Sequence, residues 1–211
     1  MATSKKKNAP FTGKVGNTVT YLLNGQWVKR TIGKNDGPPT VLQLATRMML
    51  SLLANLFKPV KGLINVGFAL QAKNTTKNAH NIATIENKLV ALKGNYPNLE
   101  INYPGVIFSK GTMPVNPEME VSIMGTGLIF TWDAELLMKG MHPSDRVIMI
   151  AYCPEKKYAF YEVDGARREE GSDYLPLLRY RESVIIHTYA AFISANKKNI
   201  STTVYTGEFL W

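Results

Sequence analysis

Three histidines, one cysteine and a few close carboxylate pairs are the residues of this 211-residue chain best suited to proton transfer, nucleophilic attack or metal binding. His80, His142 and His187 are far apart and form no His-x-x-x-His spacing that would put two imidazoles on one helix face. Cys153 ends an apolar run with no base beside it, so it reads as a buried thiol rather than an activated nucleophile. A single cysteine also permits neither an intramolecular disulfide nor a cysteine-based metal cluster. Asp133 and Glu135 follow Trp132, and Glu169-Glu170 follow Arg167-Arg168. These are the residue types of acid–base work, but adjacent charges in polar turns are ordinarily solvated. Gly125-x-Gly127 lacks the third glycine and the following helix of a phosphate loop, and no Gly-x-Ser-x-Gly elbow occurs. The sequence assigns no catalytic, cofactor-binding or metal-binding residue, and the expectation is a non-enzymatic protein.

Interaction chemistry is better represented. Residues 1–61 carry ten basic side chains against one acid, Asp36, whereas residues 62–211 hold 15 of each sign, so the net charge of +9 sits wholly in the first third. Such asymmetry fits an anionic partner, nucleic acid included, or a solvated basic tail. Lys5, Lys6, Lys7, Lys14, Tyr21, Trp27, Lys29, Arg30 and Arg47 are the candidate interaction residues. Aromatic and basic side chains interleaved on a ribbon can also stack bases and neutralise phosphates.

The elements that position these residues follow from the pattern. Residues 1–10 read as a basic flexible arm. Asn24-Gly25, between two β-rich runs, predicts a hairpin in which Leu22 faces Trp27 and Tyr21 faces Val28. From Thr40 to Phe57 the apolar residues cover an arc of roughly 200°, too broad for a surface helix. That helix must be covered by the chain or by a partner. It is interrupted by Gln43, Arg47 and Asn55, so a membrane role is not expected. Helical spacing continues beyond Pro59 and again through Ala79, Ile82, Ile85 and Leu89. After Pro97 the period becomes strand-like, with candidate strands at 100–103, 105–109, 119–123, 128–132, 146–153, 158–163, 174–177, 184–194 and 201–210. The expected fold is α+β: an arm (1–10), a hairpin-plus-helical module (11–95) and a C-terminal antiparallel β-sandwich (96–211).

Two resemblances add to this. Over residues 104–211 the pattern resembles a fibronectin type III or immunoglobulin-like sandwich, which implies that Leu128-Ile129-Phe130-Thr131-Trp132 is its second strand and Val147–Tyr152 its third. Tyr189–Ala195 would be the sixth, with Tyr189 at a tyrosine corner, and Ser201–Tyr205 would be the last. The whole chain is also similar to a family of small Bacteroidota proteins, a domain of unknown function. The residues that carry this likeness are Phe11-Thr12-Gly13-Lys14-Val15-Gly16, Gly25-x-Trp27-Val28-x-Arg30, Pro38-Pro39-Thr40 with Gln43 and Arg47, Asn65-Val66-Gly67-Phe68, Phe130-Thr131-Trp132 and Tyr152-Cys153-Pro154. That likeness implies an architecture and no activity. The functional expectation is a structural or adaptor protein anchored through its N-terminal module in a homo-oligomer or a phage-like particle. Nucleic-acid binding through residues 1–61 is the alternative. Neither a cofactor nor a secretory signal is expected, and the location is cytoplasmic or within an assembled particle.

Overall fold

The structure, a computed structural model, describes residues 11–23, 25–34 and 37–211. The basic arm and Asn24 of the hairpin turn lie outside the described residues. Two compact units are present, one ending at Thr40 and the other spanning Val41–Trp211.

In the first unit, β1 (Gly13–Val15), β2 (Thr18–Leu23) and β3 (Gln26–Thr31) form an antiparallel sheet in that order. Leu22 pairs with Trp27 and Tyr21 with Val28, the register that the Asn24-Gly25 turn predicts. β1 was not expected as a separate strand. Its signal is Gly16-Asn17, a turn dipeptide in which Gly16 takes the left-handed conformation at φ +55° and returns β1 onto β2.

The second unit opens with α1 (Val41–Phe57), and Pro59 sits in a 3-10 turn that breaks the helical ladder because proline has no N–H to donate. Three further helices follow: α2 (Lys61–Gly67), α3 (Ala69–Ala72) and α4 (Ala79–Val90). The Asn78 side chain caps α4 by accepting from Asn81 N at 2.8 Å. A short antiparallel pair, β4 (Leu92–Lys93) and β5 (Glu100–Ile101), precedes the main strands. These are β6 (Glu120–Met124), β7 (Gly127–Thr131), β8 (Arg146–Cys153), β9 (Tyr158–Glu162), β10 (Ser172–Pro176), β11 (Ile185–Ile193) and β12 (Val204–Leu210). They make two antiparallel sheets, of order β10-β7-β6 and β12-β11-β8-β9.

Two hydrophobic cores share β8 and β11. Val147, Met149, Ala151 and Cys153 face the three-stranded sheet and meet Leu128, Phe130 and Leu175. Ile148, Ile150 and Tyr152, from the alternate positions of β8, meet Leu53, Phe57, Ile64 and Phe68 of the helical layer. A strand buried on both faces must be apolar throughout, which is why 146–153 has no polar alternation. Each fully buried Leu, Ile or Phe here contributes about 1.5–3 kcal/mol.

The helices share a compact unit and a core with the β-strands, because their apolar faces are closed by β8 and β11. Two expectations are corrected. Gly105–Ser109 is not a strand: side chains satisfy its buried backbone instead. Asn87 donates Nδ2–H to the Ile107 carbonyl (2.8 Å) and accepts from Ile107 N (2.9 Å), while Thr203 Oγ1 accepts from Phe108 N and Ser109 N at 3.2 and 2.8 Å. Tyr189 is no tyrosine corner, since its hydroxyl donates to the Tyr103 carbonyl at 2.9 Å, far upstream rather than a few residues back.

Candidate interaction surface

The sheet of the first unit divides its interaction candidates between two faces. Alternation puts Val15, Leu22, Trp27 and Lys29 on one side and Lys14, Val19, Tyr21, Val28 and Arg30 on the other. On the first side, Phe11, Val15, Thr18, Thr20, Trp27 and Lys29 line a concavity of about 510 Å³. On the second, Lys14 and Arg30 flank Val19 in one cross-strand row, about 10 Å apart at the spacing of neighbouring strands. Arg30 lies over the Tyr21 ring, 5.8 Å from its centroid. None of the described residues of this unit is buried. Phe11, Val15, Leu22, Leu23 and Trp27 are exposed, with Trp27 at 42% and Phe11 at 64%. No ion pair involves Lys14, Lys29 or Arg30 among the described residues.

Arg47, the remaining described candidate, belongs to the second unit and is exposed on α1. The structure splits that helix along its length. Leu53, Leu56 and Phe57 are buried, whereas Val41, Leu42 and Leu50 are exposed. Among the described residues, the broad apolar arc is therefore buried toward its C-terminal end, with Met49 packed at the margin of the core.

The titratable residues form structural clusters. His187 stacks on Tyr103 (centroids 4.1 Å apart), with Nδ1 3.1 Å from Tyr205 Oη and 3.6 Å from Glu208 Oε2. Burial lowers the His187 pKa, and the Glu208 carboxylate opposes that only in part. Desolvation pushes the Tyr152 phenol up to about 12. His142 Nδ1 and Ser144 Oγ meet at 2.8 Å, but Asp145 accepts from the His142 backbone N–H rather than from the ring. The three therefore make a turn and lack the carboxylate–imidazole bond of a nucleophilic triad.

Arg168 was not singled out by the sequence, and it is the largest wholly buried side chain. Its guanidinium lies over the Phe192 ring at 3.7 Å and donates to Asn116 Oδ1. Nε sits 3.5 Å from Asp145 Oδ2, an ion-pair distance without hydrogen-bond geometry. Burial lowers the Arg168 pKa against the pull of Asp145. Trp132 Nε1 donates to the Arg168 carbonyl at 2.7 Å, tying the cluster to the second core. The terminal Trp211 is likewise secured, its Nε1 donating to Leu178 O at 2.9 Å. Among the described residues, no group of three or more His, Cys, Asp or Glu is placed to hold a metal ion, and no helix is long and apolar enough to cross a membrane.

A cleft between β9 and β10 is a further feature: its residues lie on β8, β9, β10 and the connection between β9 and β10, and nothing local in the sequence records that two sheet edges meet there.

In comparisons with known proteins, residues 10–207 match the model of a family described as a family of unknown function (DUF6266). No curated protein and no solved structure matches the chain.

Proposed function

Since the chain belongs to the family of unknown function DUF6266, we propose that it is a non-enzymatic structural or adaptor protein, anchored in a larger assembly through its N-terminal hairpin and the start of α1. One observation carries the reading: the three-stranded sheet buries none of its described residues, yet exposes Phe11, Val15, Leu22 and Trp27. A sheet that small, with no core of its own, needs a covering surface to be stable. The exposed Val41, Leu42 and Leu50 of α1 extend the argument to the helix. The assembly is a homo-oligomer or a phage-like particle, and the source is a member of the Bacteroidota. The strand orders β10-β7-β6 and β12-β11-β8-β9 support assigning the second unit's sheets to a fibronectin III-like sandwich. In that assignment β6, β7 and β10 are strands A, B and E, and β9, β8, β11 and β12 are C′, C, F and G.

Nucleic-acid binding is the second reading, favoured by Lys14, Lys29 and Arg30, which form no ion pair among the described residues, and by the basic Lys5, Lys6 and Lys7 of the sequence. Replacing all six with Gln separates the two. A nucleic-acid binder loses a log–log salt slope of several units in that variant, since each phosphate contact contributes close to one unit on duplex DNA. An anchoring module predicts weak wild-type binding to oligonucleotides at physiological salt, and loss of assembly in Phe11→Ser/Trp27→Ser with the second unit still folded. Tight, salt-steep wild-type binding that Trp27→Ala weakens without unfolding would replace the first reading by the second.

A further inference from the structure

The cleft lies where the edges of the two sheets come together. β9 ends the four-stranded sheet and β10 ends the three-stranded one, so each presents an edge with no strand paired to it among the described residues. Such an edge offers a row of backbone donors and acceptors to an incoming strand. Between them runs a groove of about 660 Å³. Met149, Phe160 and Leu175 supply apolar surface, and Tyr158 and Tyr174 supply exposed aromatic rings.

Four carboxylates line the groove, Glu162, Asp164, Glu170 and Asp173, against one cation, Arg146. Backbone N–H groups hold several of them in place. Glu162 accepts from Val163 and Asp164 (2.9 and 3.1 Å), Glu170 from Arg167 (2.8 Å), and Asp173 from Ala166 and Tyr174 (2.7 and 2.8 Å). Arg146 stands 3.9 Å from Asp164 and offsets one charge only. A phosphate backbone or an anionic lipid surface is repelled here. An extended cationic peptide fits: its main chain adds to a strand edge, its cations meet the carboxylates, and an apolar side chain enters the floor.

This chain carries a segment of that chemistry, Ser4-Lys5-Lys6-Lys7-Asn8-Ala9-Pro10, within the third of the sequence that holds the whole positive excess. We infer that the β9–β10 groove of one molecule receives the N-terminal basic segment of a second copy, so that copies join head to tail. Such a contact is heterologous and propagates into a ring or a filament rather than closing as a two-fold dimer. The inference rests on the assembly reading above for its partner, and it adds the acceptor surface that reading lacks.

The test is a charge exchange followed by light scattering, on full-length protein at low and physiological salt. One variant reverses the segment (Lys5→Glu, Lys6→Glu, Lys7→Glu), a second reverses the groove (Glu162→Lys, Asp164→Lys), and a third carries both. Each single reversal is expected to weaken self-association at least tenfold, and the doubly reversed protein to recover it. A fluorescent peptide of residues 1–12 should bind wild type in a salt-sensitive way and should lose that binding to the groove variant. Glu162→Gln/Asp164→Asn repeats the peptide measurement with a milder change if the lysine pair impairs folding. A monomeric wild type overturns the proposal whether or not the peptide binds. Association that survives groove reversal but is lost in Phe11→Ser/Trp27→Ser also overturns it, while leaving the anchoring reading intact.

Discussion

Removing the Trp132 ring would open a hole beside Phe192, whose ring meets it edge-on at 5.4 Å, and would strip the Arg168 carbonyl of its indole donor. Trp132→Ala should therefore destabilise the second unit by about 3–5 kcal/mol, measured by urea unfolding. A loss under about 1 kcal/mol would mean that the ring does not fill the core. His187 makes a pH-dependent prediction. Its folded pKa is lowered, from an ordinary value of about 6.5, so below that pH the unfolded chain binds the proton more readily than the native one. The stability that neutral His187 supplies is complete above pH 6.5 and is lost as pH falls through the lower folded value. His187→Phe keeps a ring against Tyr103 and cannot charge. Thermal melts should accordingly show a steeper decline from pH 7 to pH 5 in wild type than in His187→Phe, and parallel declines would refute the assignment.

The segment from Val106 to Ser109 shows how an element can be replaced by side chains. Thr203→Val preserves shape but leaves the Phe108 and Ser109 N–H groups without their acceptor, at a cost of about 1–3 kcal/mol for each group left unpaired. Unfolding of Thr203→Val against Thr203→Ser, which keeps the oxygen, measures that loss directly. The same segment explains what could be read from sequence. Strands β8 and β11 were legible because both their faces are buried, and the hairpin register because Asn24-Gly25 fixes it. The 105–109 run has the same apolar composition as a strand, and nothing local records that its partners are Asn87 and Thr203, one of them some 95 residues away. Gly67 carries no local signal of its role, and its reason appears in three dimensions. A Cβ there would fall 2.1 Å from the Phe108 carbonyl oxygen. Arg168 was illegible for a related reason, since an Arg-Arg-Glu-Glu run reads as solvated until Asn116, Asp145 and Phe192 converge on it.

Within the first unit, the described interaction candidates are divided between the two faces of one sheet. The second unit, by contrast, is bound together by β8 and β11, which wall both cores. It should unfold as one body. In a Trp27→Phe/Trp211→Phe background, Trp132 fluorescence and the far-UV helix signal are expected to follow a single denaturant curve. Separated midpoints would show that the helical layer detaches from the sheets. The shared wall also bears on synthesis. α1 and α2 leave the ribosome early, but part of the surface that covers Leu53, Phe57 and Ile64 belongs to strands made much later, among them Tyr189, Ala191 and Ile193 of β11. At about 5–20 residues per second, the nascent helices wait on the order of ten seconds with their oiliest side uncovered. That interval makes the half-made chain a client for holding chaperones, and it marks truncations before residue 193 as aggregation-prone.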